Sequence, residues 1–363
     1  YLDMPTCLTE VSGLKDRLPD IRRANVAHHI ELMGEAHRIG VKAICFGELF
    51  TAPYFALGTD PMWLAMAEDA CQGHTTRELC EAARRYQMLV VAPIFELDPS
   101  GARFNTAVVI DENGHYLGKF RKAHIPYGSN EQGSFHENFY YGRSDGNNEP
   151  SPANMSRDPM FPVFQTSFGR IGICICYDRH FPYVVWRLAQ QGAELIFCPA
   201  ITFGAKSQRM WHLEFPTDAA RFNVFIGGSN RRGVEPPWTQ AYFGESYFVG
   251  PNGVLFNLSQ HSDLVVADID LTSLGEPDPS GWNLPGDPRQ PLATDDVADL
   301  MQRDGRRCLD GAGAMARFRK LREGALQAHR VGGRHARGLQ RWRHAHTQST
   351  HQRARGKRRK LCF

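Results

Sequence analysis

Three short segments place a carboxylate, an ammonium group and a thiol directly after apolar runs that are typical of strands. Glu48 follows the run in KAICFGELF, Lys122 ends GHYLGKFRK, and Cys176 ends IGICIC. Groups just beyond the carboxyl ends of strands build the active sites of α/β proteins. A carboxylate, an ammonium and a thiol can act as general base, oxyanion partner and nucleophile. The three residues therefore predict a site that works through a covalent bond to sulfur.

Two cysteines alternate at the end of the third segment, and one of them is placed for chemistry. Cys174 and Cys176 share one face of a strand with a two-residue period, but only Cys176 immediately precedes the turn that begins at Tyr177. Amide groups of a following helix lower the pKa of a thiol. We therefore expect Cys176 to be a nucleophile with a lowered pKa, and Cys174 to pack as a small apolar residue. A metal-binding or redox pair is not favoured, because alternate strand residues aim poorly at one ion.

Hydrophobic periodicity predicts the elements that must position these residues. Helices are expected at residues 26–36, 77–87, 181–191 and 207–223. Strands are expected at residues 41–46, 88–97, 169–176, 193–200, 223–230 and 263–270. Hairpins are expected to turn at Asn113-Gly114 and at Asn252-Gly253, since Asn-Gly is typical of tight hairpin turns. The alternation with added hairpins predicts an α/β fold.

Charge divides the chain of 363 residues into two regions. The net charge is +3, yet residues 301–363 contain 18 Lys and Arg against 3 Asp and Glu. This region has few aliphatic residues and little amphipathic periodicity, so it is expected to be disordered. We assign residues 1–291 to a catalytic domain and residues 292–363 to a basic tail that is dispensable for chemistry. An alternative function is nucleic-acid binding by this tail through phosphate contacts, but the tail contains no recognised binding module.

The remaining composition limits the compartment and the class of protein. The chain contains nine Cys without CxxC pairs, which favours a reducing, cytoplasmic location. No run of about 18 apolar residues predicts a membrane span. No signal peptide is evident, although the chain opens on Tyr1 rather than Met, which is consistent with an incomplete N-terminus.

The three segments together resemble the carbon–nitrogen hydrolase, or nitrilase, superfamily. Its mark is a Glu, a Lys and a Cys at three strand ends, matched here by CFGELF, GKFRKAHIP and GRIGICICYDRHFP. The resemblance extends from about Arg22 to Trp282. It implies an α-β-β-α sandwich of four layers that pairs into homodimers or larger assemblies through the helix after the nucleophile. The family places one more strand before the first helix, and residues 1–20 do not read as a strand, so this strand is expected to be missing.

The resemblance also implies a role for each catalytic residue. Glu48 would be the general base and acid, Cys176 the nucleophile, and Lys122 the oxyanion stabiliser together with the backbone N–H of Tyr177. Glu137, in the segment FHENF, matches a second family glutamate that orients Lys122 and the attacking water. No metal and no organic cofactor is implied.

Four residues near the nucleophile are candidates for substrate binding: Tyr177 and three further side chains. Arg179 and His180 follow Cys176 in the segment CYDRHFP, and His124 follows Lys122. Arg179 could bind a substrate carboxylate or pair with an acid such as Glu137. The two histidines could equally be structural.

Several segments resemble the β-ureidopropionase branch of the superfamily. They are GKFRKAHIP with FHENFYY, FPVFQTSFGRI, CYDRHFP, GAELIFCPA and GESYFVGP. The expected substrate is therefore N-carbamoyl-β-alanine or a related N-carbamoyl amino acid, with an aliphatic amidase or nitrilase as the alternative. Pro216 lies inside a stretch that should be a regular helix, and beyond Pro291 the resemblance ends.

Overall fold

Helices and strands alternate through the chain much as the periodicity predicts. The computed structural model describes residues 8–146, 151–278, 280–282, 284 and 359–362. Helices α1 to α5 are Leu18–Arg38, His74–Tyr86, Glu137–Tyr140, Pro182–Gln190 and Ala205–Phe222. Strands β1 to β8 are Val41–Cys45, Leu89–Leu97, Arg103–Ile110, Tyr116–Arg121, Tyr127–Ser129, Ser134–His136, Val163–Thr166 and Gly169–Ile173. Strands β9 to β16 are Leu195–Ala200, Phe225–Asn230, Arg232–Val234, Ala241–Phe243, Tyr247–Gly250, Gly253–Val254, Val266–Ile269 and Arg359–Cys362.

The strands form two six-stranded sheets and two small ribbons. The first sheet has the order β15-β16-β1-β2-β3-β4, and the second has the order β14-β13-β10-β9-β8-β7. Strands β8, β9 and β10 are parallel, as are β1 and β2, so their carboxyl ends lie on one edge of each sheet. The ribbons pair β5 with β6 and β11 with β12.

Alternation along β2 shows why the sheets stack. Leu89 and Val91 lie in the core between the two sheets, while Val90 and Ala92 lie in the core beneath α1 and α2. Successive strand residues point to opposite faces, so an apolar run of this kind buries both faces. Helices α4 and α5 cover the outer face of the second sheet. The result is the four-layer α-β-β-α sandwich that the family resemblance implies.

Two prolines fit their helices differently. Pro182 is the first residue of α4, where the missing N–H has no partner to lose. Pro216 lies inside α5, and the helix nevertheless continues to Phe222. The helix expected at residues 207–223 therefore forms on both sides of this proline.

The strand next to β1 comes from the far end of the sequence. Strand β16 pairs in parallel with β1 and antiparallel with β15, and Leu361 and Cys362 on it are buried. The sequence predicted that a strand would be missing from the sandwich, but β16 gives the first sheet six strands. The prediction of a disordered tail is wrong for residues 359–362, which form this strand, and the dispensability of the tail for chemistry stays a prediction. The rest of that predicted tail, 292–358, lies outside the described residues. The hypothesis that the tail binds nucleic acid therefore stays a prediction.

All the described residues belong to one unit, formed by residues 1–285 and 356–363. A second unit, residues 286–355, lies outside the described part of the chain. Among the helices that the structure describes, none has both the length and the apolar character needed to cross a bilayer.

We expect Leu361→Ala to lower the free energy of unfolding by about 2–5 kcal/mol, because it truncates a buried core side chain in an interior strand. Lys360→Ala, at the exposed neighbouring position, is the matched control and should change stability by less than about 1 kcal/mol. Urea titrations of both full-length variants measure the difference. Equal stability of the two variants would mean that β16 does not complete the sheet in solution.

Candidate active site

The three predicted residues meet where strand ends from both sheets converge. Glu48 lies in the loop after β1, Lys122 directly after β4, and Cys176 shortly after β8. Glu137 begins the short helix α3. The structure therefore brings together four side chains that are far apart in sequence.

The ammonium group of Lys122 lies between two carboxylates. Its Nζ donates hydrogen bonds of 2.7 Å to Oε1 of Glu48 and of 2.7 Å to Oε2 of Glu137. The side chain of Lys122 is fully buried. Burial alone would lower the pKa of Lys122, but the carboxylates of Glu137 and Glu48 outweigh this and raise the pKa well above its usual value. Lys122 therefore stays positively charged at neutral pH.

Further donors fix the carboxylate of Glu48. The side-chain amide of Asn105 donates to Oε1 at 2.7 Å, and the backbone N–H of Ile201 donates to Oε2 at 2.6 Å. Together with Lys122, they give Glu48 three hydrogen bonds and one orientation. Such a fixed carboxylate is suited to accept a proton along a defined direction.

Glu137 is held in a similar way. Its Oε1 accepts a hydrogen bond of 2.8 Å from the hydroxyl of Tyr54. Burial raises the pKa of Glu137, the Lys122 ammonium opposes that rise, and the nearby carboxylate of Glu48 adds to it. Burial also raises the pKa of Tyr54 well above its usual value, so its hydroxyl remains a proton donor.

Cys176 has an unusual backbone conformation. Its φ is +51°, in the left-handed region that residues with a Cβ seldom adopt and that recurs at functional sites. The thiol donates a weak hydrogen bond of 3.5 Å to the carbonyl oxygen of Ile201. Because the N–H of Ile201 binds Glu48, this one backbone residue contacts both the carboxylate and the thiol.

The predicted lowering of the thiol pKa is wrong. Burial, and then the carboxylate of Glu48, raise the pKa of Cys176 well above its usual value, although Lys122 and Arg179 act in the opposite direction. The residues after Cys176 form only a short 3₁₀ helix, and α4 begins later at Pro182. The amide groups of α4 therefore do not offset the rise in the thiol pKa that burial causes. Since the thiol is neutral at rest, its attack on a substrate requires a nearby base.

A cavity of about 500 Å³ opens onto the thiol. Of the four residues predicted to bind substrate, Tyr177, Arg179 and His180 line this cavity and His124 does not. The cavity wall also contains Tyr54, Phe135, Phe203, Lys206, Met210 and Glu214.

Arg179 is already engaged within the protein. Only 2% of its surface is exposed, and its guanidinium donates to the carbonyl oxygen of Cys176 at 2.9 Å and to Oγ1 of Thr202 at 3.2 Å. Its Nε lies 3.2 Å from Oε2 of Glu214, an ion-pair separation without hydrogen-bond geometry. Nδ1 of His180 lies 2.6 Å from the other oxygen of Glu214. Glu214 therefore neutralises much of the positive charge that Arg179 brings to the cavity, and it also binds His180.

His124 supports the turn that follows the nucleophile. Its backbone N–H and its Nδ1 both contact Oδ1 of Asp178, at 2.9 and 2.7 Å, and its ring stacks on Phe181. Oδ2 of Asp178 accepts a hydrogen bond of 3.0 Å from the N–H of Ile175. His124 thus braces the turn that carries Cys176.

Sequence reasoning missed several residues that contact the predicted ones. Tyr54 and Asn105 lie among apolar residues that read as core, and the contribution of Ile201 is made by its backbone. Glu214 lies on α5, two residues before Pro216. Only Asn105 offered a usable signal, because an amide inside a strand that is otherwise buried needs a hydrogen-bonding partner.

Comparison with known proteins agrees with this fold. The carbon-nitrogen hydrolase family model matches residues 21–277, and the chain belongs to this family. A solved carbon-nitrogen hydrolase from Helicobacter pylori G27 superposes with a TM-score of 0.64 at 23% identity, covering 76% of this chain and 94% of that one.

Curated relatives include enzymes named for N-carbamoyl substrates. Beta-ureidopropionase of Arabidopsis thaliana is 34% identical over 281 residues, which is 72% of this chain and 62% of the relative's own length. N-carbamoylputrescine amidase of Oryza sativa subsp. japonica is 27% identical, covering 78% of this chain and 92% of the relative.

We expect Cys176→Ala to abolish turnover without unfolding the protein, because Cys176 lines the cavity and contacts the carboxylate-binding residue Ile201. Cys174→Ala is the matched control: this side chain is fully buried, and its truncation should cost only about 1 kcal/mol of stability. Ammonia release and thermal unfolding measure the two effects. Equal loss of activity in two folded variants would contradict the assignment of Cys176.

We expect Glu48→Gln to make alkylation of Cys176 by iodoacetamide strongly pH-dependent. In the parent, Glu48 can take the proton of the neutral thiol, so the rate should vary little near neutral pH. Without that base only the thiolate reacts, and the rate should rise about tenfold per pH unit from about pH 7 to about pH 9, below the raised pKa. Mass spectrometry of the peptide containing both cysteines follows the reaction, with buried Cys174 as the internal control. A variant that reacts as fast as the parent at neutral pH would exclude Glu48 as the base.

Proposed function

We propose that this chain hydrolyses N-carbamoyl-β-alanine, or a related N-carbamoyl amino acid, to the free amino acid, carbon dioxide and ammonia. The observation that carries the proposal is the buried Lys122 ammonium between Glu48 and Glu137, beside a cavity that contains the Cys176 thiol. Membership of the carbon-nitrogen hydrolase family and the relatives named for N-carbamoyl substrates support it.

The first half of the reaction would form a bond between sulfur and the ureido carbon. Glu48 accepts the thiol proton as Cys176 attacks, and the oxygen of the tetrahedral intermediate becomes negative. The ammonium of Lys122 and the backbone N–H of Tyr177 would stabilise that charge. Glu48 then returns the proton to the departing nitrogen, and ammonia leaves an S-carbamoyl intermediate on Cys176.

The second half would repeat the sequence with water. Glu48 takes a proton from a water molecule, which attacks the S-carbamoyl carbon, while Glu137 keeps Lys122 in place. The bond to sulfur breaks, the proton returns to Cys176, and a carbamate is released that decomposes to carbon dioxide and the amino acid. The two halves use the same groups in the same positions.

Recognition of the substrate carboxylate needs positive charge in the outer cavity. Arg179 supplies it in part, but Arg179 is paired with Glu214, which also contacts His180. Lys206, near the start of α5, lines the same cavity and is exposed, and no other described residue pairs with it. We therefore propose that Lys206 binds the substrate carboxylate. Arg179 would chiefly hold the turn that carries Cys176, through the carbonyl oxygen of Cys176.

We propose that the chain forms a homo-oligomer through the exposed side of α4 and α5, the helices that cover the second sheet. Tyr183 on α4 and Leu213 on α5 are large side chains that remain 46% and 54% exposed in the single chain. Burial of such side chains favours association, consistent with assembly through the helix after the nucleophile.

We expect the parent to prefer N-carbamoyl-β-alanine to its uncharged amide analogue, as measured by kcat/KM. Lys206→Met should lower that preference about tenfold, since a hydrogen bond to a charged group contributes about 1.5–3 kcal/mol. Arg179→Ala should instead slow the hydrolysis of both substrates, because it loosens the turn that carries Cys176. Lys42→Met, at an exposed position on β1, is the charge-matched control.

Assays with other substrates test the alternative functions. A parent enzyme that prefers N-carbamoylputrescine, a neutral amide or a nitrile would contradict the proposed substrate but not the roles of Glu48, Lys122 and Cys176. If the preference for the acid persists in Lys206→Met and is lost only in Arg179→Ala, then Arg179 and not Lys206 binds the substrate carboxylate.

A further inference from the structure

The loop that carries Glu48 is held by an arginine from the opposite sheet. Arg231 follows β10 of the second sheet, whereas Glu48 follows β1 of the first. Nη2 of Arg231 donates to the carbonyl oxygens of Glu48 and Leu49, at 3.0 and 3.3 Å. Nη1 donates to the carbonyl oxygen of Ala52 at 3.1 Å. One guanidinium therefore binds three carbonyl groups of a single loop.

The backbone of this loop requires such support. Leu49 has a φ of +47°, a left-handed conformation that is costly for a residue with a branched side chain. Carbonyl groups turned away from regular secondary structure also need donors when they are buried. Arg231 supplies these donors directly at Glu48 and Leu49, where the chain is strained.

Glu235 extends the same contact to the other end of the loop. Its Oε1 accepts a hydrogen bond of 2.6 Å from Nη1 of Arg231, and its Oε2 accepts one of 2.9 Å from the backbone N–H of Tyr54. The hydroxyl of Tyr54 donates in turn to Glu137. Arg231 and Glu235 thus hold the backbone at both ends of residues 48–54, whose Glu48 and Tyr54 side chains contact Lys122 and Glu137.

We propose that Arg231, oriented by Glu235, is a positioning residue that holds residues 48–54 so that the Glu48 carboxylate can act on the thiol and the Tyr54 hydroxyl stays on Glu137. The proposal rests on the proposed role of Glu48 as the base. Arg231 and Glu235 line a second cavity, of about 450 Å³, together with Gly47 and Ala52. Arg231 therefore acts from behind the loop, through the loop backbone, and not by contact with substrate.

The experiment is Arg231→Ala in the full-length chain. A shift of a catalytic group by about 1 Å can cost about 10²-fold in rate, so kcat should fall by roughly that factor. KM should change little, because other residues line the substrate cavity. The removed guanidinium borders an open cavity, so methylguanidinium added below denaturing concentrations should restore part of kcat, and urea at the same concentration should not.

Arg232→Ala is the matched control. Arg232 is the next residue in sequence, is exposed, and pairs with Asp263, so its loss should leave kcat unchanged. If Arg231→Ala does not fold, Glu235→Gln tests the proposal instead. This variant keeps the size of the side chain and weakens the ion pair with Arg231. A lower kcat at unchanged KM supports the proposal in that variant, and an unchanged kcat overturns it.

The readouts separate this proposal from that of the substrate. Rates refer to whichever amide or N-carbamoyl compound the parent hydrolyses fastest, so failure of N-carbamoyl-β-alanine overturns only the substrate. Alkylation of Cys176 requires no turnover, and in Arg231→Ala it should slow towards the rate of Glu48→Gln and recover with methylguanidinium. A folded Arg231→Ala with parental kcat and parental alkylation overturns the positioning role. So does a loss of kcat that methylguanidinium does not restore.

Discussion

A buried ammonium group between two buried carboxylates is the constraint on which the rest of the structure depends. The charges of Lys122, Glu48 and Glu137 are stable in the interior only while they remain together, since removal of one partner from a buried pair costs about 3–5 kcal/mol. Each of the three comes from a different part of the chain. The two sheets and their loops must therefore bring the three together before the interior can close, and the reactive groups are part of the folding core.

The same arrangement explains how a neutral thiol can serve as a nucleophile. Burial keeps Cys176 protonated, which would make it inert on its own. Ile201 contacts Glu48 through its N–H and Cys176 through its carbonyl oxygen, so the carboxylate and the thiol are fixed relative to one short piece of backbone. Reactivity then depends on geometry rather than on a permanently charged sulfur.

Local pattern was sufficient to predict much of this architecture. The two-residue and 3.6-residue periods predicted both the strands and the helices of the layers, and the positions of Glu48, Lys122 and Cys176 after strands predicted that they would meet. The thiol pKa was wrong, because a sequence does not show how deeply Cys176 is buried or that the carboxylate of Glu48 lies near it. The contacts of Arg231 could not be predicted, because they involve backbone carbonyl groups of a loop almost two hundred residues away. Strand β16 was missed because four residues contain too little pattern to indicate a partner.

The position of β16 ties completion of the sheet to synthesis of the chain. Strand β1 pairs with residues 360–362, more than three hundred positions later. At about 5–20 residues per second, the ribosome needs on the order of tens of seconds to make that distance. During this interval β1 exposes an unpaired edge that can pair with other chains. Strand β15, Val266–Ile269, exposes a second such edge once it has been synthesised. The nascent chain is thus open to pairing with other chains until residues 359–362 emerge from the ribosome, and slower translation lengthens that period.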